Sequence, residues 1–143
     1  IGGASGDMIL GAAIDAGVSI DVLRNALDAL GIKGFSVLSK SSQRGGVVGT
    51  QVSVEVVERR REPRRWTDFL RIIEMSSLPK KVSQRACAVF NRLAEGEAMA
   101  HGTTPENTYL HELGDLDTLV DVVGSILALD ILGVEILGFS DFH

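Results

Sequence analysis

Aromatic side chains are scarce in this chain: five Phe, one Tyr and one Trp among 143 residues. The core must therefore be built from Leu, Val, Ile and Ala, which favours helices packed closely over a small sheet. Cysteine is rarer still. A single one, Cys87, excludes an intramolecular disulfide and offers no zinc-type spacing; it sits inside an apolar helical pattern, where a buried structural thiol is expected. No apolar run is long and uninterrupted enough to span a membrane. Internal repeats and low-complexity segments are absent, as are a P-loop, a dinucleotide glycine fingerprint and a Ser/His/Asp arrangement in recognisable context. Positive charge is scarce outside one segment. Residues 59–65 hold five arginines and one glutamate, whereas the rest of the chain carries nine basic and eighteen acidic residues, within a net charge of −5. Such a surface lacks the broad basic face that neutralises nucleic-acid phosphates, so no nucleic-acid partner is expected. The arginine run reads as a solvated loop, with an isolated phosphate or an acidic partner as the alternative.

What is present is ordinary globular composition, 45% hydrophobic and 23% charged, at a length suited to one domain. Residues 1–6 form a glycine-rich turn, and 7–16 read as a short helix closed by Gly17. Ser19 has the position of an N-cap for an amphipathic stripe of Ile20, Leu23, Leu27 and Leu30 that ends at Gly31. Phe35, Val37 and Ser39 alternate weakly, and Val52, Val54 and Val56 alternate strictly, so a hairpin is expected, with Gly45, Gly46 and Gly49 forming its loop or a bulge. Helical spacing returns at 66–75, from Pro79 to about His101-Gly102, and over 115–132; residues 134–139 have the character of a closing strand. The predicted class is α+β: a small antiparallel or mixed sheet containing a hairpin, covered by four or five helices. Two strands make a poor platform for so many helices. Since the chain opens at Ile1 without a methionine, a strand before Ile1 is expected, and with it a longer protein of which this is the N-terminal part.

Two segments have the composition of a site. In Gly2-Gly3-Ala4-Ser5-Gly6-Asp7-Met8 the glycines allow backbone N–H groups to converge on an anion at a helix start. Ser5 can meet a phosphate oxygen or a metal-bound water, and Asp7 suits a divalent cation held between carboxylate and phosphate. The structural alternative is an N-cap serine followed by a first-turn aspartate, each worth ~1 kcal/mol or less. In the segment 115–132, Asp117, Asp121, Gly124 and Ala128 fall on one stripe of an otherwise apolar helix. Two aspartates about 6 Å apart repel one another unless a cation, an arginine or a proton lies between them, and the small residues beyond them leave room for a ligand. A divalent metal is the economical reading, with His111 and Glu112 completing its shell. The alternative has the aspartates held by arginines, for which Arg24, Arg85 and Arg92 are placed on helices. His101, next to Gly102, reads as a C-terminal cap.

These segments resemble the nickel insertion proteins that mature the lactate racemase cofactor (the LarC family). Gly3-Ala4-Ser5-Gly6-Asp7-Met8-Ile9-Leu10-Gly11-Ala12 is similar to that family's opening motif, which follows a first β-strand. The stretch from Leu110-His111-Glu112-Leu113-Gly114 through Asp117 and Asp121 to Gly124 is similar to its second signature. Arg92-Leu93-Ala94-Glu95-Gly96-Glu97-Ala98 and His101-Gly102 resemble its long helix. The likeness runs in order along nearly the whole chain.

The resemblance implies insertion of Ni²⁺ into a dithiolated pyridinium mononucleotide, giving the nickel-pincer nucleotide through nickel–sulfur and nickel–carbon bonds. It further implies CTP hydrolysis with Mn²⁺ or Mg²⁺, a C-terminal domain, a homo-oligomer and a cytoplasmic setting without a membrane partner. Carried onto this chain, it makes Asp7, His111 and Glu112 the catalytic set. Gly3, Ser5 and Gly6 become the mononucleotide-binding turn, and His111, Asp117 and Asp121 the metal ligands. Two departures bear on this. Where relatives often have a histidine-rich stretch, this chain has the arginine run, and guanidinium offers no lone pair to nickel. Tyr109 stands where many relatives have a second histidine, so the ligand set is hard and better matched to Mg²⁺ or Mn²⁺. Besides the enzyme, two other classes stay open: a module that presents metal or nucleotide to a separate catalytic domain, and a structural or oligomerisation domain.

Overall fold

The computed structural model describes residues 3–57, 64–110 and 114–138. Helix α1 (Gly6–Asp15) starts behind Ser5, whose backbone is extended, and stops before Gly17, whose φ is +114°. Helix α2 (Ile20–Leu27) tightens into a 3-10 turn (Asp28–Leu30) and is closed by Gly31 at φ +67°, a left-handed geometry that glycine adopts without strain. The expected stripe is its buried face: Leu23, Leu27 and Leu30 are all in the core.

Strands β1 (Phe35–Arg44) and β2 (Val47–Val56) form an antiparallel hairpin, paired without interruption from Phe35 opposite Val56 to Arg44 opposite Val47. Gly45 and Gly46 close it as a two-residue turn with φ of 55° and 82°, the positive pair that matches strand twist. Gly49 therefore belongs to no loop or bulge; it pairs with Ser42 inside the ladder. The hairpin is anchored at its base by Val37 and Val52, while Val47 and Val48 near the tip are 74% and 66% exposed.

Helix α3 (Trp66–Met75) and the long α4 (Lys80–His101) pack through stacked Phe69 and Phe90 rings, with centroids 4.9 Å apart. Pro79 stands just before α4 and Gly102, in the left-handed region, just after it. Helix α5 (Leu116–Ile131) is the centre of the molecule, with α1, α2, α4 and β2 packed around it. Its Leu119, Val120, Val123 and Ala128 are fully buried, and each leucine or valine removed from water contributes about 1.5–3 kcal/mol.

The α+β class and the number of helices match the expectation. The sheet is smaller than expected. Residues 134–138 join no sheet among the described residues, so the closing strand is not formed there, and Phe139 lies outside them. The platform role falls to α5 instead, which offers an apolar surface on most sides. Cys87 is only half buried, against the edge of the core; burial and then the Glu74 carboxylate push its thiol pKa up. Among the described residues no helix is long and apolar enough to cross a membrane.

Candidate functional site

The N-terminus of α1 meets the first half of α5 at very close range. A Cβ added at Gly6 would lie 2.4 Å from the Asp121 Cβ, so only glycine permits this approach. One turn deeper, Leu10 fills the space over Gly124, where an added Cβ would be 3.2 Å from a Leu10 methyl. This corrects the expectation that Gly124 and Ala128 leave room for a ligand. Ala128 is fully buried and Gly124 receives a leucine, so the small residues admit α1 itself.

That packing brings acids from distant parts of the chain together. The Asp121 carboxyl is pushed up to about 6 by burial, then by the charge of Asp7, then by that of Asp117. Its Oδ1 is buried without a hydrogen-bond partner. One turn further along α5, Ser125 is 8% exposed and its Oγ is also unpartnered. Buried oxygens left unpaired are costly, and each calls for water, an ion or a proton. Asp7 is better provided for: its Oδ1 accepts from the Ser5 hydroxyl and from the Met8 N–H at 2.8 Å. Asp117 is exposed and accepts from the Thr118 N–H at 2.7 Å.

The arginines that might have neutralised the pair are committed elsewhere or lie apart. Arg24 donates to the Val37 carbonyl and to Asp21, Arg92 pairs with Glu95, and Arg85 lines a groove beside residues 134–137. Among the described contacts none of the three bonds to Asp117 or Asp121.

Asp7 and Met8 also form one wall of an open cleft of about 300 Å³, whose other wall is the outer half of the hairpin, including Ser42, Arg44, Val48 and Thr50. Sequence reasoning missed this wall. It is held by Asp15, which accepts the Thr50 N–H at 2.9 Å and the Thr50 hydroxyl at 2.6 Å. Beside it, Gly11 lets β2 cross so closely that an added Cβ would sit 2.4 Å from the Thr50 carbonyl oxygen. The spacing Gly6, Gly11, Asp15 along the first helix was the available signal.

Of the other expected residues, Gly3 is exposed with no neighbour within 4 Å of where a Cβ would be, and Ser5 is exposed at the N-cap position. His111 and Glu112 lie outside the described residues, as does most of the arginine run. The run's described end is tied to the same region: the Arg64 N–H donates to the Gly114 carbonyl at 3.2 Å, and Arg65 bonds to the Tyr109 hydroxyl while its guanidinium covers the Tyr109 ring.

Among the described residues no three His, Cys, Asp or Glu side chains are gathered into a ready-made metal shell. The donor set nevertheless fits Mg²⁺ or Mn²⁺, which take one or two carboxylates and complete their coordination with water and substrate phosphate. The unpartnered Asp121 oxygen, in a carboxyl that also feels the charges of Asp7 and Asp117, is the observation that favours such a cation.

Fold and site together define an α+β domain in which the perturbed Asp121 carboxyl stands near Asp7, itself one wall of an open cleft completed by the hairpin. The chain belongs to the nickel insertion protein family, whose model matches residues 1–143. It is 44% identical over 134 residues, 93% of its length, to a protein of Thermomicrobium roseum provisionally named for nickel insertion. A similarly named protein of Roseiflexus castenholzii is 44% identical over 133 residues. The pyridinium-3,5-bisthiocarboxylic acid mononucleotide nickel insertion protein of Desulfitobacterium hafniense is 36% identical over 141 residues, 99% of this chain. The chain spans about a third of the length of these relatives, from 33% to 35%. No solved structure matches it.

Proposed function

We propose that this chain is the part of a nickel-inserting enzyme that holds a dithiolated pyridinium mononucleotide beside the entry point for Ni²⁺. Family membership and the name of the Desulfitobacterium relative support the reaction class. The single observation that carries the site is the buried, unpartnered Asp121 oxygen with Asp7 and Asp117 around it. In this reading Ser5 and the Gly3–Gly6 turn hold a nucleotide-bound metal beside Asp7, and Asp117 and Asp121, with His111, receive the cation. Asp7 is the member of the acidic trio that lines the cleft. It is therefore the base positioned to take the ring proton that a nickel–carbon bond displaces, with Glu112 beside His111 as its partner in catalysis. A resident Mg²⁺ or Mn²⁺ would supply charge neutralisation for phosphate at the same carboxylates.

The finer parts of the proposal concern the whole protein: CTP as the co-substrate, the lactate racemase cofactor as the product, a further C-terminal domain and a homo-oligomeric assembly. The short coverage of the relatives favours a second reading, in which this part binds and presents its ligands while chemistry is completed elsewhere. Calorimetric titration with Ni²⁺ and with Mn²⁺ tests the site. Asp117→Asn and Asp121→Asn are each expected to weaken binding of at least one metal tenfold or more; unchanged affinity in both variants rejects these residues as ligands. Turnover retained by the full-length protein after Asp7→Ala would favour the presenting role over the catalytic one.

A further inference from the structure

The acidic trio poses a problem for any phosphorylated substrate, because carboxylates repel a phosphate dianion unless a positive charge faces it. The cleft supplies one. Arg44, the last residue of β1, is the basic side chain among its lining residues, on the wall opposite Asp7. Its guanidinium makes no hydrogen bond or ion pair to a described residue, unlike Arg24, Arg71 and Arg92, which are engaged by neighbouring acids.

The backbone under Arg44 is well held. It pairs with Val47 in the last step of the ladder, against the two-glycine turn, and three residues along β2 the Asp15 carboxylate grips Thr50 twice. A planar guanidinium on such a support is suited to bidentate capture of phosphate oxygens. On its face of the hairpin Val47 is 74% exposed and Ser42 adds a hydroxyl, and Met8 of α1 is 60% exposed. A cleft of about 300 Å³ with one cation, one carboxylate and apolar side walls fits a small amphiphile with an anionic end and a flat ring.

We propose that Arg44 anchors the 5′-phosphate of the pyridinium mononucleotide across the cleft from Asp7, with Met8 and Val47 against its ring. The assignment rests on the function proposed above and adds a binding residue to it. It makes the hairpin tip a substrate-binding element, and it sets the discrimination between phosphorylated and unphosphorylated pyridinium ribosides.

The test is calorimetric binding to the full chain of nicotinate mononucleotide, nicotinate riboside and CTP, each with and without Mn²⁺. Arg44→Ala is expected to weaken the mononucleotide tenfold or more while leaving the riboside within about twofold. Arg44→Lys should recover part of the loss. Lys33→Ala, which removes an equal charge outside the cleft, should change neither. Mn²⁺ affinity should survive Arg44→Ala. Mononucleotide binding that is undiminished by Arg44→Ala, or weakened equally by Lys33→Ala, overturns the assignment and leaves the proposed function standing. A loss confined to CTP also overturns it and gives the guanidinium to the triphosphate. A wild-type chain that binds neither pyridinium probe overturns both.

Discussion

Helix α1 meets an aspartate at each end, and the two are treated in opposite ways. At its last residue Asp15 accepts two hydrogen bonds from Thr50, which hold its carboxyl below the usual range. At its first turn Gly6 touches Asp121, whose carboxyl is pushed up to about 6 and keeps one oxygen unpaired. Both contacts are possible because a glycine sits where a side chain would collide. The first contact is finished by the protein and serves as a clamp. The second is left unfinished, with one carboxyl oxygen that no described residue pairs.

Several substitutions can break or sharpen this contrast. The largest effect is expected for Gly11→Ala at the clamp, where the new methyl meets a backbone oxygen that cannot rotate away; denaturant unfolding should show a loss of about 3 kcal/mol. Gly6→Ala places its methyl 2.4 Å from the Asp121 Cβ, which the α5 backbone holds in place, so a similar loss of about 3 kcal/mol is expected. A neutral Gly6→Ala would contradict the close approach of α1 to α5.

Next in size is Asp121→Asn. Because the folded pKa is raised from 3.8 to about 6, the native state binds this proton more tightly than the unfolded chain. Its stabilising effect is fully present below pH 3.8 and is lost as pH rises through about 6. Replacing the carboxylate should therefore raise metal-free stability at pH 8 by about 1 kcal/mol, a figure reduced from the full shift because the side chain is only half buried. The gain should vanish at pH 4. Asp15→Asn should do the reverse. A lowered folded pKa contributes stability above the unfolded pKa and loses it as pH falls, so this variant should melt earlier at pH 7 and approach wild type at acidic pH. Thermal melts across the pH range read both. The same direction of change in the two variants would erase the distinction.

Much of this arrangement was legible in the residues. The hairpin followed from alternation at Val52, Val54 and Val56 and from Gly45-Gly46, and the helices from their caps and spacing. The i, i+4 pair of Asp117 and Asp121 on an apolar helix was readable as a conflict needing a partner. What fills each space was not. Gly124 and Ala128 read as room for a ligand because a single helix cannot reveal that Leu10, more than a hundred residues earlier, occupies it. The hairpin wall of the cleft depends on Asp15 meeting Thr50 across 35 positions, a contact between two exposed polar residues that leaves no periodic signature. Ser125 was passed over for a similar reason: a serine in a helix is unremarkable until its hydroxyl is found buried and unpaired.

The central claim is that a cation belongs beside Asp121, whose carboxyl feels the charges of Asp7 and Asp117, and the titration of Asp121 itself tests it most directly. Followed by carboxyl ¹³C NMR, Asp121 should titrate near 6 without metal. With saturating Mg²⁺ its midpoint should fall by about one unit or more, because a bound cation favours the charged form. A midpoint that stays put in Mg²⁺ and is equally unmoved in Ni²⁺ would contradict the account.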